Sequence, residues 1–452
     1  MNSKEAELIS TIEKSISSYK KSKAFIGYWD AGGFVDVMDQ TRENIVNLAN
    51  TSPNEARKLM LDLIKTHNKV IERSDDSNGY IGNFYAQCME DFGKIFLKLS
   101  VDIKEVVKLV CDLFMHDNYG VMGNVISDFK DVLREEGLEL LKKNFLELAS
   151  PSGLEEVKKK TTAKFEKEKA KGELDEDDNL QEEVNKKVEY YLDNIERGLA
   201  HIADCRNDVD EYIQAQSFHG GLYEYDYLAI AKRMINHARY GEALEWLDKL
   251  SKPITTWRDD YLKLKISALS LSGELEAAQQ ERIAWFQVDF KYDLYEEILK
   301  NANDTFREQF RKQSIEKAFE HKDIYAAMNF LMQLEEVEEC AEFVLLKAES
   351  INGAYYELLR PMAKILRNNY PLAATILYRK LTEHSLAKAV SKYYQYAAKD
   401  LIACHELSSQ ITDFGDHKNH DEYFREIKEK HKKKRTFWEI FNPLMERKQK
   451  WK

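Results

Sequence analysis

The sequence predicts an all-α protein, an irregular α-solenoid of helical hairpins arranged in two arrays. Three observations support this prediction. Proline is rare, with 6 residues in a chain of 452, and the abundant leucine, alanine, lysine and glutamate favour helices over a many-turned β fold. Apolar residues recur at a period close to 3.6 wherever a period is visible. One paired-helix pattern then recurs along the second half, as expected for repeats that bury their apolar faces against one another.

Residues 1–150 are predicted to form the first helical array. One of its apolar stripes includes Leu63 and His67, and this histidine is interpreted as a partly buried, hydrogen-bonded residue with no ligand role. The polar turns at 74–79 and 116–120 separate successive helices. Their acidic side chains are expected to accept hydrogen bonds from free backbone amides at the helix starts.

Residues 151–190 are predicted to form an exposed helical spacer between the two arrays. This stretch contains few apolar residues and dense alternating charge, which suits a solvated helix supported by glutamate–lysine pairs. Gly172 and the acidic run at 173–178 are its expected flexible point. An acidic segment that binds a partner is the alternative interpretation.

Residues 191–411 are predicted to contain the hairpin repeats. The clearest copy spans 223–250, where Gly241 is expected to break the chain between two amphipathic helices. Later copies have their turns near Ser272, His321 and Asn368. Small residues at the start of each second helix would let neighbouring helices approach closely. These corresponding residues are Ala243, Ala277, Ala326 and Ala373, and their intervals bracket the periods of about 34 to 47 residues known for TPR-like and HEAT-like repeats.

Residues 412–452 are predicted to form a basic, aromatic C-terminal cap. The formal net charge of −12 argues against nucleic-acid binding over the whole surface, whereas residues 428–452 carry ten basic against three acidic side chains. The candidate partner-binding residues here are Lys432, Lys433, Lys434, Arg435 and Trp438.

Two interpretations of these tail residues stay open. Basic side chains beside aromatic rings suit phosphate contacts plus base stacking, which favours nucleic acid as a partner. Alternatively, Phe437, Trp438 and Phe441 lie at helical spacing and would dock on the apolar face of the last repeat.

Catalytic and metal-binding patterns are not found in the sequence. It contains no GxSxG, P-loop, GxGxxG after a strand or HExxH pattern, so we expect no enzyme and no cofactor. The five cysteines are widely spaced, with no CxC or CxxC pair, and are expected to be buried thiols. His420 and His431 lie about three helical turns apart, on one face of a continuous helix. They are candidate partner-binding residues, with zinc as the weaker alternative because ligands on one helix usually lie three or four residues apart.

Membrane segments are not expected. No run of 18 apolar residues occurs, and the first residues carry acids where a signal peptide would have a basic and then an apolar segment. We therefore expect a cytoplasmic protein with no membrane partner.

Several segments in succession carry a resemblance to a known family, among them IADCRNDVDEYI, AAQQERIAWF and YPLAATILYRKL. They resemble an uncharacterised bacterial family of helical-repeat proteins that is also similar to the C-terminal region of SWIM zinc-finger proteins. The CxC pair of the SWIM zinc motif is absent, so zinc-dependent DNA binding is not implied. The glycine usual in the family before the DVD triplet is Asn207 here. The resemblance implies a TPR-type scaffold, with Arg282 and Trp285 as further candidate partner-binding residues.

The function expected from the sequence is a non-enzymatic protein-interaction scaffold that uses the groove of a helical solenoid to bind a protein or peptide. The alternative is a nucleic-acid-binding accessory protein that acts through the basic aromatic tail. The sequence does not indicate which protein or peptide is bound.

Overall fold

The computed structural model describes residues 3–117, 119–173, 179–250, 254–300 and 302–449, and these residues are predominantly helical. No β-strand occurs within these ranges, where one isolated bridge pairs Ile26 with Ser74. The all-α prediction is therefore confirmed.

The chain forms two compact units, 1–264 and 265–452. Helices that follow one another in the chain pack in pairs within each unit, which is the local packing of helical-repeat proteins. The helices of the first unit are α1 (Ser3–Lys21), α2 (Ala31–Leu48), α3 (Pro53–Ile64), α4 (His67–Ile71), α5 (Tyr80–Phe96), α6 (Ile103–Met115), α7 (Val125–Asp128), α8 (Lys130–Leu148), α9 (Pro151–Lys171), α10 (Leu180–Arg206), α11 (Val209–Gln216), α12 (Glu224–Asn236) and α13 (Tyr240–Asp248).

The unit boundary falls within α14 (Arg258–Leu271). The four predicted segments, 1–150, 151–190, 191–411 and 412–452, stay predictions. The helices of the second unit are α15 (Leu275–Asp289), α16 (Tyr292–Leu299), α17 (Asp304–Glu320), α18 (Ile324–Gln333), α19 (Val337–Leu346), α20 (Tyr356–Leu366), α21 (Pro371–Ala387), α22 (Tyr394–Ser408), α23 (His420–His431) and α24 (Arg435–Gln449).

Acidic side chains accept hydrogen bonds from backbone amides in both polar turns of the first unit. The Asp76 carboxylate accepts hydrogen bonds from the amides of Ile81 and Gly82, both at 2.8 Å, and Asp117 accepts one from the buried Met122 amide at 2.8 Å. Asp76 satisfies amides in the first turn of α5, as predicted, whereas the Met122 amide lies in the turn before α7 and outside a helix. The predicted capping role is therefore confirmed for the turn at 74–79, while Asp117 satisfies amides of the loop that follows it.

Asn207 ends α10 in the left-handed conformation with φ of 56°. Asparagine tolerates this conformation better than other non-glycine residues.

The charged stretch 151–190 contains α9 and the first part of α10. Surface ion pairs at four-residue spacing join Glu156 to Lys160 at 2.7 Å and Glu182 to Lys186 at 2.6 Å. Phe165 is the buried side chain of α9. Gly172 ends this helix with φ of 70°, and residues 174–178, most of the predicted flexible point, lie outside the described residues.

The turn of the clearest hairpin differs from the prediction. The first helix ends at Asn236, Ala238 adopts a positive φ of 58°, and Gly241 lies inside the first turn of α13. The spacing of the apolar residues suggested that Gly241 forms the turn between the two helices. The residue with the left-handed backbone conformation is instead Ala238, two residues after the first helix ends. Gly241 was therefore wrongly predicted as the turn residue.

The alanines at the helix–helix contacts are also shifted by one residue in two repeats. Ala243 and Ala373 are buried as predicted, whereas Ala277 is exposed and its neighbour Ala278 is fully buried. Ala326 is half-buried, and the residue after it is again the buried one. Tandem alanines made the register ambiguous, because either residue could face the adjacent helix.

Aromatic side chains fill the core of the second unit. Phe286 contacts Phe310 and Phe330 at ring-centroid separations of 5.7 and 5.2 Å, which ties α15, α17 and α18 together. A second buried cluster at the end of the unit joins α22, α23 and α24, and includes Leu401, Tyr423, Ile427, Phe437 and Phe441.

Candidate functional site

A basic pocket of about 460 Å³ lies in the second unit, lined by residues of α20, α21, α22 and α24. Four of its side chains are cations and two are carboxylates. The lining residues that carry charge or an aromatic ring are Arg360, Lys364, Arg367, Tyr378, Tyr396, Lys399, Asp400 and Glu406.

Three of the four cations come from one helix face. Arg360, Lys364 and Arg367 follow one another at four and three residues along α20 and its C-terminal cap, so they project to the same side. Cations near the C-terminus of a helix are also stabilised by its dipole.

Both carboxylates of the pocket are already paired with arginines. Arg360 binds Asp400 in a two-point contact of 2.7 and 3.3 Å, and Arg367 lies 3.4 Å from Glu406. Burial raises the pKa of the Asp400 carboxyl above its ordinary value, although the Arg360 guanidinium opposes that shift. These pairs hold α20 against α22 and fix the arginines in the wall of the pocket.

Lys364 and Lys399 supply the positive charge that remains. Both side chains are exposed, and neither forms an ion pair with another described residue. Both lie within electrostatic reach of Asp400, because each lowers the pKa of its carboxyl. The pocket therefore carries about two uncompensated positive charges.

Two tyrosines give the pocket an apolar and aromatic surface between the charges. Tyr378 is buried in α21, whereas 44% of Tyr396 is exposed. The guanidinium of Arg360 lies 5.5 Å from the centroid of the Tyr396 ring. A ligand with carboxylates next to an apolar or aromatic group would match this wall.

The aromatic residues of the tail dock on the last repeat. Phe437 is fully buried and Phe441 is 2% exposed, both within the cluster that contains Leu401. The half-buried Trp438 donates its indole N–H to the carbonyl of His431 at 3.0 Å. Both phenylalanine rings thus pack against the last repeat and are unavailable for stacking on bases.

The basic side chains of the tail stay at the surface. Lys432, Lys433 and Arg435 are exposed, and Lys432 pairs with Glu429 at 2.5 Å. The ammonium group of Lys434 lies 5.8 Å from the ring of Tyr394.

His420 and His431 are both buried, at 8% and 7% exposure. Eleven residues of helix place them about 16 Å apart along the axis of α23, so they cannot share one ligand atom. His420 lies instead beside His405, with 3.3 Å between its Nε2 and Nδ1 of His405. Burial, His405 and Arg379 together lower the pKa of His420 to about 4. The two predicted histidines therefore pack in the cap rather than facing a partner.

Arg282 and Trp285 lie on α15. Trp285 is 6% exposed and donates its indole N–H to Asp289 at 2.8 Å, while Arg282 donates to the Ser270 hydroxyl at 3.0 Å. Burial of Trp285 leaves a partner little access to its ring, so this residue serves packing.

A family model described as a family of unknown function, DUF6880, matches residues 2–440. The chain belongs to the DUF6880 family. A search among curated proteins gives no match. A solved structure similar to the DUF6880 chain is described as a circular tandem repeat protein with novel repeat topology and enhanced subunit contact surfaces. It is 13% identical, with coverage of 98% of this chain and 91% of the other, and a TM-score of 0.17.

Another pocket, in the first unit of this DUF6880 chain, has no net charge in its lining. It has a volume of about 280 Å³ and lies between α10, α11 and α12. Arg233 pairs with Asp204 at 2.7 and 2.8 Å and stacks 3.5 Å above the Tyr212 ring. His237 Nε2 lies 3.1 Å from the Asn207 side-chain oxygen. These contacts stabilise the helix junction. The charged side chains in the lining are two acids and two bases, Asp204, Asp208, Lys232 and Arg233, so the pocket has no excess charge to attract an ionic ligand.

Metal ligands do not converge within the described ranges, where no group of three His, Cys, Asp or Glu side chains could hold an ion. No helix in the same ranges is long and apolar enough to cross a membrane.

The basic pocket was missed from the sequence, although one signal for it was present. The four- and three-residue steps from Arg360 to Lys364 and Arg367 form a basic stripe on a predicted helix. The stripe could have been found by spacing, but its meeting with Lys399 and Tyr396 of α22 depends on tertiary packing.

Proposed function

We propose that this DUF6880 protein is a non-enzymatic scaffold that binds an acidic segment of a partner protein in the basic pocket. The observation that carries the proposal is the pair of exposed lysines, Lys364 and Lys399, in a wall whose carboxylates are already paired. A cytoplasmic location belongs to the same proposal. The function does not depend on a relation to SWIM zinc-finger proteins, and that relation and a bacterial origin stay predictions.

An acidic peptide fits the pocket for two physical reasons. Its carboxylates would replace water around lysines that have no protein partner, and desolvated charge pairs contribute more than fully exposed ones. An apolar or aromatic side chain of the peptide would contact Tyr396, which is 44% exposed and held near Arg360. Backbone carbonyls of a peptide would also accept hydrogen bonds from the paired arginines.

The binding test uses a fluorescent peptide that alternates glutamate with aromatic residues, measured by fluorescence anisotropy against the full chain. The double variant Lys364→Ser, Lys399→Ser should weaken binding about tenfold or more, equivalent to about 1.4 kcal/mol. The matched control is Lys432→Ser, Lys433→Ser, which removes the same charge from the tail and should leave the affinity within about twofold. Equal losses in both variants, or no binding by the unmodified chain, would contradict the proposed pocket.

Nucleic-acid binding through the tail is the second candidate, favoured by the exposed Lys432, Lys433 and Arg435. The burial of Phe437 and Phe441 weighs against it, because a single strand would have no open aromatic platform there. A single-stranded oligonucleotide in the same anisotropy assay separates the two functions. Salt-sensitive oligonucleotide binding that the tail variant abolishes would support this second candidate and count against the peptide scaffold.

A further inference from the structure

Arg379 of α21 is a buried cation in the last repeat, separate from the basic pocket. It is 7% exposed. One nitrogen, Nη1, donates to the carbonyl of Lys418 at 2.8 Å. The flat guanidinium group lies 4.4 Å from the centroid of the Tyr423 ring and 5.8 Å from that of Phe414. It therefore connects α21 to the segment that leads into α23.

The other two nitrogens of this guanidinium lack partners. Neither Nε nor Nη2 of Arg379 has a hydrogen-bond partner among the described residues. A buried, incompletely bonded cation is costly because water no longer solvates it. Burial correspondingly lowers the pKa of the Arg379 guanidinium below its ordinary value. Glu383 is within electrostatic reach, but it does not bond to these nitrogens.

Two further polar groups in the same cluster are also buried without partners. Thr375 lies one helical turn before Arg379 and is fully buried, and its hydroxyl is unbonded within the described chain. His420 is 8% exposed, and its Nδ1 has no partner there. Nε2 of His420 is paired with His405, so Nδ1 is the ring nitrogen left for a ligand, and it is a donor in the tautomer in which His405 donates to Nε2. Two guanidinium nitrogens, a hydroxyl and an imidazole nitrogen are thus buried without partners among the described residues in this part of the repeat.

We propose that Arg379, Thr375 and His420 form a buried binding site for a small monovalent inorganic anion, with chloride as the physiological ligand. All three side chains are more than nine-tenths buried, so the site is built into the core of the repeat. An anion accepts hydrogen bonds from several donors at once and neutralises the single positive charge. A water molecule would bond to the donors but would leave that charge uncompensated.

The test measures the thermal unfolding midpoint of the full chain in sodium chloride and in sodium gluconate at constant ionic strength. Chloride binding to the folded state should raise the midpoint by about 3 °C. Arg379→Met should abolish this difference, while Arg425→Met, which removes an exposed arginine from the same unit, should preserve it. Equal midpoints of the unmodified chain in the two salts would mean that water occupies the cluster and would overturn the site.

Thr375→Val tests the site without removing the charge. Valine has nearly the shape of threonine, so replacing an unbonded buried hydroxyl is neutral or stabilising in gluconate. If the hydroxyl donates to bound chloride, the variant loses part of the midpoint rise that chloride produces. A chloride-dependent rise that is unchanged in both Thr375→Val and Arg379→Met would place the anion elsewhere and refute this assignment.

Discussion

At the residue scale, His420 makes the stability of the second unit depend on pH. Burial is the largest cause that lowers its pKa from 6.5 to about 4, with His405 and Arg379 acting in the same direction and Asp421 against them. In the unfolded chain the imidazole takes up a proton below about pH 6.5, whereas the folded one stays neutral down to about pH 4. The contribution of His420 to the stability of the folded state is therefore present above about pH 6.5. It is lost as the pH falls from about 6.5 to about 4.

Urea unfolding in gluconate buffer should show this loss. Between about pH 7 and about pH 5, His420 should reduce the free energy of unfolding by about 2 kcal/mol, and His420→Gln should remove that part of the slope. His417→Gln, three residues away in the preceding loop, is the control and should keep the slope of the unmodified chain. A slope identical in all three proteins would show that His420 is protonated in the folded state over the same range.

At the element scale, α24 acts as the cap of the last repeat, and its buried face carries the stability. Phe437→Ala removes a fully buried ring from the cluster with Tyr394, Leu401 and Phe441. We expect it to lower the free energy of unfolding by about 3 to 5 kcal/mol. Lys432→Ser with Lys433→Ser changes exposed residues just before the helix and should cost less than about 0.5 kcal/mol. Urea titrations monitored by circular dichroism measure the free energy of unfolding of the two variants. A similar loss of stability in Phe437→Ala and in the double lysine variant would mean that α24 is not docked on the last repeat.

The sequence predicted elements of this size well, but it did not predict their junctions. The 3.6-residue period identified α12 and α13 because each helix buries one apolar face. The turn between them was misplaced, because Ala238 adopts a positive φ that local sequence preference assigns to glycine. The basic pocket could likewise be predicted only in part. The basic stripe of α20 could be recognised by spacing, whereas the contact of Arg360 with Asp400 depends on how two helices forty residues apart in sequence pack together.

At the scale of the whole molecule, the two units have separate cores, which predicts that the second one folds alone. A fragment of residues 254–452 contains all of α14 and the aromatic core around Phe286 and Phe330. It should give a helical circular-dichroism spectrum and a cooperative urea transition. Phe437→Ala should destabilise the fragment and the full chain by equal amounts, because the Phe437 ring is buried within this unit. A fragment that lacks a cooperative transition would contradict the prediction.

The position of α22 links the cap to the basic pocket. This helix packs against both α21 and α24, and Leu444 of α24 lies in the pocket wall beside residues of α22. Any ligand that contacts this wall binds more tightly when the cap is docked, so it must stabilise the docked cap by the same free energy. The affinity of a ligand for the pocket and the free energy with which α24 docks are thus coupled, and a measurement of either one reports the same coupling free energy. A change such as Phe437→Ala, which does not touch the pocket, would be transmitted to it through this shared wall.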